Sequence, residues 1–238
     1  MKRFAFLTCV RDEAQYERLR ASIDELVRPD DVEIGFFTER EDRNLASAYN
    51  RLQAAAAGWR YKAYVHDDVV ILNRNLLADL LAIFRDRRVA LVGAAGCRYL
   101  PESSIWWDGS GVVGRVVHLV DGRREPFELE QPAGELERVE AVDGLCLITQ
   151  HDLPWDEEIP GFHLSDVTQS TRYLLAGYDV VVPRQDEPWF AHEHRPGPPS
   201  TEHAAALAVF RARYDEPRAQ FARKRVRRRA RRLLAKLR

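Results

Sequence analysis

No apolar run in the 238-residue sequence approaches the ~18–20 residues that a membrane-spanning helix needs. The N-terminal Met1-Lys2-Arg3 runs into a short apolar stretch that soon meets Arg11-Asp12-Glu13, too brief for a signal peptide, so neither secretion by that route nor a membrane span is expected. Cysteine is scarce: Cys9, Cys97 and Cys146 are odd in number, far apart and without a C-x-x-C pair. That excludes zinc or redox work by paired thiols and fits ordinary core residues in a reducing cytoplasm. G-x-x-x-x-G-K-[ST], H-E-x-x-H and G-x-S-x-G are absent, which removes the main support for P-loop, zincin and α/β-hydrolase chemistry. Gly109-Ser110-Gly111-Val112-Val113-Gly114 does spell G-x-G-x-x-G, but a dinucleotide site needs a helix after it. Here Arg115-Val116-Val117-His118-Leu119-Val120 reads as a strand, so these glycines are expected in a hairpin or loop.

What is present suits a full-sized core, since 45% of the residues are hydrophobic. Acids vanish at one end: Pro217 to Arg238 contains 11 of the 36 basic residues and no carboxylate. Residues 1–216 therefore keep 25 basic against all 37 acidic groups, a net of −12. An acidic body, 1–216, carries a basic segment, 217–238. Within that segment Val226, Ala230, Leu233, Leu234 and Leu237 recur at helical spacing, the pattern of a helix lying in an anionic headgroup layer, or else a solvated or RNA-binding tail or a subunit contact. The acidic body opposes a broad nucleic-acid surface.

Two hydrophobic periods alternate over the first half, the pattern of βα units on a largely parallel sheet. Strands are expected at 4–10, 32–37, 61–65 and 89–94, with helices on the faces Leu19/Ile23/Leu26, Leu45/Tyr49/Leu52 and Leu76/Leu80/Phe84 between them. From Gly96 the segments shorten. Val112 to Val120 points to a hairpin turn at Asp121-Gly122, and Arg123 to Glu137, with Pro126, Pro132 and Gly134, reads as a surface loop. Val139 to Thr149 is a strand broken at Asp143-Gly144, Ser165 to Ala176 a helix, Tyr178 to Val182 a strand, Glu202 to Tyr214 a helix, and the basic segment a last helix.

Tyr64-Val65-His66-Asp67-Asp68-Val69 puts two carboxylates and an imidazole directly after a central strand, where ligands of open α/β sheets bind. Such a pair is either a solvated turn or a seat for Mg²⁺ or Mn²⁺, whose preferred ligands are carboxylate oxygens. Gly161-Phe162-His163-Leu164-Ser165-Asp166 opens a helix, with Ser165 or Asp166 as its N-cap or with Asp166 as a reactive acid. His192-Glu193-His194 lies in a Pro-rich loop, either as surface residues or as metal ligands. Trp106-Trp107 is either core or a solvent-facing pair able to stack on a sugar.

Together the acidic strand tip, "V-D-G-L-C-L-I-T", "P-G-F-H-L-S-D", "A-G-Y-D-V" and the late "H-E-H" resemble a family 2 glycosyltransferase. The likeness covers residues 3–200 and is nearest to the branch named for a streptomycin-biosynthesis protein. It implies the GT-A fold, a Rossmann-like, mostly parallel sheet flanked by helices, here with a small β-hairpin insertion. It also implies a nucleoside-diphosphate sugar of UDP or dTDP type held by Thr8, Cys9, Val10, Glu13, Glu39, Asp67 and Asp68. A cation would sit at Asp68 with His66 and with His192 or His194. Asp166 would be the inverting base. Trp106, Trp107, Asp143 and His163 would face a sugar, lipid-linked or small-molecule acceptor. Two positions depart from the family pattern: His66 opens the D-x-D position, and Thr168 stands where relatives commonly carry a second acid. One acceptor-side carboxylate argues for transfer over hydrolysis. The rivals are a nucleotidyltransferase, which would want a Gly-rich loop where Thr8-Cys9-Val10-Arg11 has none, and a non-catalytic scaffold.

Overall fold

The computed structural model of the chain describes residues 1–40, 43–120, 123–193 and 201–236, with the side chains of Glu128 and of 224–236 outside the description. The first half alternates as its periodicity predicts: β1 (Lys2–Cys9), α1 (Glu13–Asp24), β2 (Val32–Glu39), α2 (Leu45–Ala55), β3 (Tyr61–Val65), a short β4 (Val69–Ile71), α3 (Leu76–Ile83) and β5 (Val89–Val92). Two helices start on side-chain caps, Asp12 accepting from Gln15 N at 3.0 Å and Asn44 from Ser47 N at 2.9 Å. After these come β6 (Ala95–Cys97), a 3₁₀ turn (Trp106–Asp108), β7 (Val112–Val120), β8 (Arg123–Glu128), β9 (Leu136–Arg138), β10 (Ala141–Val142) and β11 (Cys146–Thr149). The chain closes with α4 (Ser165–Leu175), β12 (Asp179–Pro183), β13 (Phe190–Glu193) and α5 (Thr201–Lys236).

Seven strands form the central sheet in the order β2-β1-β3-β11-β5-β12-β9. Its pairings are parallel at β1·β2, β1·β3 and β5·β12 and antiparallel at β3·β11, β11·β5 and β12·β9, so the sheet is mixed rather than purely parallel, with its longest ladder, β1·β2, parallel. Alternate residues of β1 feed two cores: Phe4 and Phe6 lie in one cluster, Ala5, Leu7 and Cys9 in the other, which puts packed layers on both faces. The expected hairpin insertion is a second sheet, β10-β6-β7-β13-β4 with β8 on β7.

Three local expectations are corrected. Arg123 to Glu137 contains two strands. Pro126 is compatible with β8 because that strand pairs only with β7, so the missing N–H is not needed on its open side. His192 and Glu193 lie not in a loop but in β13, between β4 and β7. The basic segment is no separate helix, since α5 runs 36 residues through Pro217. Contacts on both sides of the proline hold it there: Arg213 donates to Asp156, and Arg218 stacks on Phe210 and donates to Leu100 O. The G-x-G-x-x-G run leads into β7 as expected. Gly114 (φ +123°) is required where a Cβ would meet Ala94 O at 2.3 Å. All three cysteines are buried and none is in a disulfide. No helix among the described residues is long and apolar enough to cross a membrane.

Candidate active site

At the C-terminal ends of β1 and β2, Cys9 lies beside Glu39, and Val10 N donates to Glu39 O at 2.8 Å. Thr8, Cys9 and Val10 are buried, while Glu13 and Glu39 hold Arg40 (2.8 Å) and Arg51 (3.1 Å) in open ion pairs of little strength. Asp67 has a task the sequence did not disclose. Its buried carboxylate accepts from Arg11 N at 2.6 Å and Asp12 N at 2.8 Å, which fixes the turn after β1. Arg11 then stacks on Phe162, 5.0 Å from the ring centre, bridging this edge to the loop before α4.

His66, Asp68 and His192 come from three elements, the end of β3, the turn before β4, and β13. Antiparallel pairing of β13 with β4 sets His192 opposite Val69, and Glu193 N donates to Asp68 O at 3.0 Å. Their ligand atoms all lie within 4.8 Å of one another. His192 Nε2 approaches Asp68 Oδ1 to 3.3 Å, yet that buried oxygen has no hydrogen bond of proper geometry. Burial holds the His66 imidazole below its ordinary range, which leaves a neutral ring with a lone pair to offer. For Asp68 burial acts upward but His192 outweighs it, and for His192 burial acts downward but Asp68 outweighs it, so the two settle as a charged pair. Gln15 (2.6 Å) and Arg18 fix Glu193 from α1, locking the strand that carries His192. Two imidazoles and a carboxylate with an unsatisfied oxygen fit a divalent cation. His194, the other proposed ligand, lies outside the described residues.

A cleft of about 130 Å³ adjoins this cluster through His66 and is lined by Trp106, Trp107, Asp143, His163 and Asp166, among others. The proposed acceptor residues and the proposed base therefore meet in one place. Neither Ser165 nor Asp166 caps α4: Leu164 occupies the cap position with φ 57°, and Asp166 Oδ1 accepts from Val167 N at 2.8 Å inside the first turn. Burial, then the Asp143 charge, raises the Asp166 carboxyl to about 7. Gly144 permits the approach, since a Cβ there would stand 3.2 Å from Asp166 Cβ. The tryptophans are not a solvent-facing pair. Trp106 is buried in the core and meets Trp107, 59% exposed, edge-on at 5.6 Å. Thr168 is buried on α4. Tyr49 of α2, Trp155 and Phe162, and His203 of α5, whose ring is 5.6 Å from His163, complete the lining. The sequence reading assigned none of the four to the site, because each is an ordinary core, loop or helix residue until distant elements fold together.

The family model described as "Glycosyltransferase like family" matches residues 5–214. No curated protein matches the chain. Among solved structures, the chain resembles GalNAc-T7 with UDP, GalNAc and Mn²⁺ at TM-score 0.60 and 11% identity, over 93% of this chain and 49% of that one. It resembles Staphylococcus aureus TarS in complex with UDP-GlcNAc at 0.55 and 14%, over 83% and 60%. A mutant Drosophila β1,4-galactosyltransferase 7 with manganese, UDP-Gal and xylobiose matches at 0.53 and 14%, over 82% and 72%. The chain thus spans about half to three fifths of the first two, and at such identities the likeness is one of fold.

Proposed function

From the premise that the chain belongs to the glycosyltransferase-like family and shares the GT-A fold, we propose that it moves a sugar from a nucleoside-diphosphate sugar to an acceptor hydroxyl, with inversion. One observation carries this reading: His66 of the cation seat and Asp166, a carboxyl raised to about 7, line the same cleft. Thr8, Cys9, Val10, Glu13 and Glu39 surround the nucleotide, of UDP or dTDP type, and Asp67 acts through the turn it holds. Trp107, Asp143 and His163 face the acceptor. Asp166 takes the proton of the acceptor hydroxyl as its oxygen bonds to the sugar carbon and the bond from that carbon to the diphosphate breaks. A divalent cation held by His66, Asp68 and His192 supplies positive charge to the departing diphosphate when bound. Two imidazole nitrogens favour Mn²⁺ over Mg²⁺. Placement in the streptomycin-biosynthesis branch, a cytoplasmic location and a peripheral hold on an anionic inner membrane face through 217–238 belong to the same proposal. Family membership favours sugar transfer over the nucleotidyltransferase and scaffold readings.

Calorimetry with Mn²⁺ present tests the reading. Asp68→Asn removes a charged ligand and should weaken nucleotide-sugar binding more than ~10-fold, about 1.4 kcal/mol. Unchanged affinity would overturn the assignment of the cation seat.

A further inference from the structure

No hydrogen bond of proper geometry locks the ligands of the cation seat to one another. Asp68 Oδ1 and His192 Nε2 stand 3.3 Å apart, so their facing register is set from outside. Both segments that carry them are tied to the same helix, α1. On the strand tip, Asp67 accepts from Arg11 N and Asp12 N, and Asp12 in turn caps α1. Just beyond, Ile71 N of β4 donates to Ser22 Oγ of α1 at 3.0 Å. On β13, Glu193 gives both carboxylate oxygens to α1: Gln15 Nε2 donates to Oε2 at 2.6 Å and Arg18 donates to Oε1. Gln15 and Arg18 are three positions apart and so share a helix face. Side chains alternate along a strand, so while His192 meets Asp68, its neighbour Glu193 reaches the other way, to the helix. Glu193 is the last residue of β13, at a strand end that would otherwise fray, and its N–H closes the circuit on Asp68 O at 3.0 Å.

We propose that Glu193 is a positioning residue for the cation seat and that α1 is the strut it acts against, holding His192 in register with Asp68 before a cation arrives. The inference rests on the assignment of His66, Asp68 and His192 to a divalent cation. Outer partners that orient a metal's ligands typically carry 10–100-fold of its affinity, and a preformed site avoids the cost of ordering those ligands on binding. Glu193 acts through the backbone of β13 and not on the His192 ring, so its effect belongs at or below the lower end of that range. As a fastening of α1 the clamp adds little. Leu19 and Ile23 already bury that helix in the core, and Arg18, 49% exposed, makes an ion pair of a weak class. A charge effect and a strut differ in sign at Arg18. If Glu193 merely attracted the cation, removing the Arg18 charge would strengthen binding; if it holds β13 in place, removing its partner weakens binding.

Titration of the full chain with Mn²⁺ alone decides it, with free Mn²⁺ read by electron paramagnetic resonance at a temperature where every variant is folded. Glu193→Gln and Arg18→Met should each weaken Mn²⁺ binding about three- to tenfold. The double variant should be no worse than the weaker single one, because both changes break one clamp. Arg18→Lys, which keeps a donor and the charge, should stay near the parent, and melting temperatures should move little. Tighter Mn²⁺ binding by Arg18→Met would mean that Glu193 acts by charge alone. Unchanged affinity in Arg18→Met and Glu193→Gln, whatever their melting temperatures, would make the clamp a fastening of α1. Either result overturns the proposal. Asp68→Asn separates the two levels: if the parent binds Mn²⁺ and this variant loses it, the seat stands whatever the clamp variants do. A parent that takes up no Mn²⁺, or an Asp68→Asn variant that binds as the parent does, overturns the seat itself and the role of Glu193 with it.

Discussion

Asp166 is the residue at which acidity and stability are coupled. A carboxyl in the unfolded chain titrates near ~4, whereas burial and Asp143 raise this one to about 7 in the folded protein. Between those values the folded state holds a proton that the unfolded state has released, so stability falls as pH rises through the window and the full cost stands above 7. Asp166→Asn should therefore melt higher than the parent at pH 8 and level with it below pH ~4, in thermal scans across that range. Its kcat should drop about 10²–10⁴-fold with donor affinity nearly unchanged, and the parent's kcat should fall as pH drops below about 7. A variant that keeps the parent rate would reduce Asp166 to a helix residue. Asp166 and Asp68 were legible because a helix start and a strand tip are local signals. Asp67 was legible only as an acid, since its clamp on Arg11 and Asp12 needs a turn 55 residues away.

The element that closes the cleft is α5, seated on a polar joint. Asp156 Oδ2 accepts from Arg213 Nε at 2.8 Å and Tyr214 Oη at 2.5 Å, and Arg172 of α4 donates to Tyr214 Oη at 3.0 Å. Burial pushes the Asp156 carboxyl up, but the Tyr214 and Arg213 hydrogen bonds outweigh it and hold the group below its ordinary range. Asp156→Ala strands both donors and should cost about 2–4 kcal/mol in urea unfolding. Because α5 also carries His203, the same change should weaken acceptor binding more than donor binding. Periodicity disclosed the elements from β1 to β5 because each buries a continuous stripe. It missed β8, where Arg123-Arg124-Glu125-Pro126 reads as a loop, and β13, four residues of which two are polar. The antiparallel insertion of β11 between β3 and β5 is a matter of long-range pairing, which no local pattern encodes. The same limit hid Tyr49, Trp155 and His203.

Across the whole molecule, charge is split between a body of net −12 and a segment of 11 basic residues, joined by the unbroken α5. At about 1 kcal/mol for each basic residue near an anionic surface, full-length protein should pellet with anionic but not neutral vesicles. A chain ending at Arg223, which keeps Arg218 on Leu100 O and Phe210, should stay in the supernatant. Equal behaviour of the two would remove the membrane role. The buried cysteines noted with the fold bear on quite another property. Burial, then Glu140, pushes the Cys97 thiol up to about 12, and burial alone pushes Cys146 up. The reactive thiolate is thereby suppressed twice, by access and by proton affinity. Modification by a coloured thiol reagent should accordingly be slow in the native protein and should follow the rate at which the structure opens, slowing further when nucleotide and Mn²⁺ are added. The Cys97 and Cys146 sulfurs serve as a built-in clock for opening of the fold, and no label need be introduced to read it.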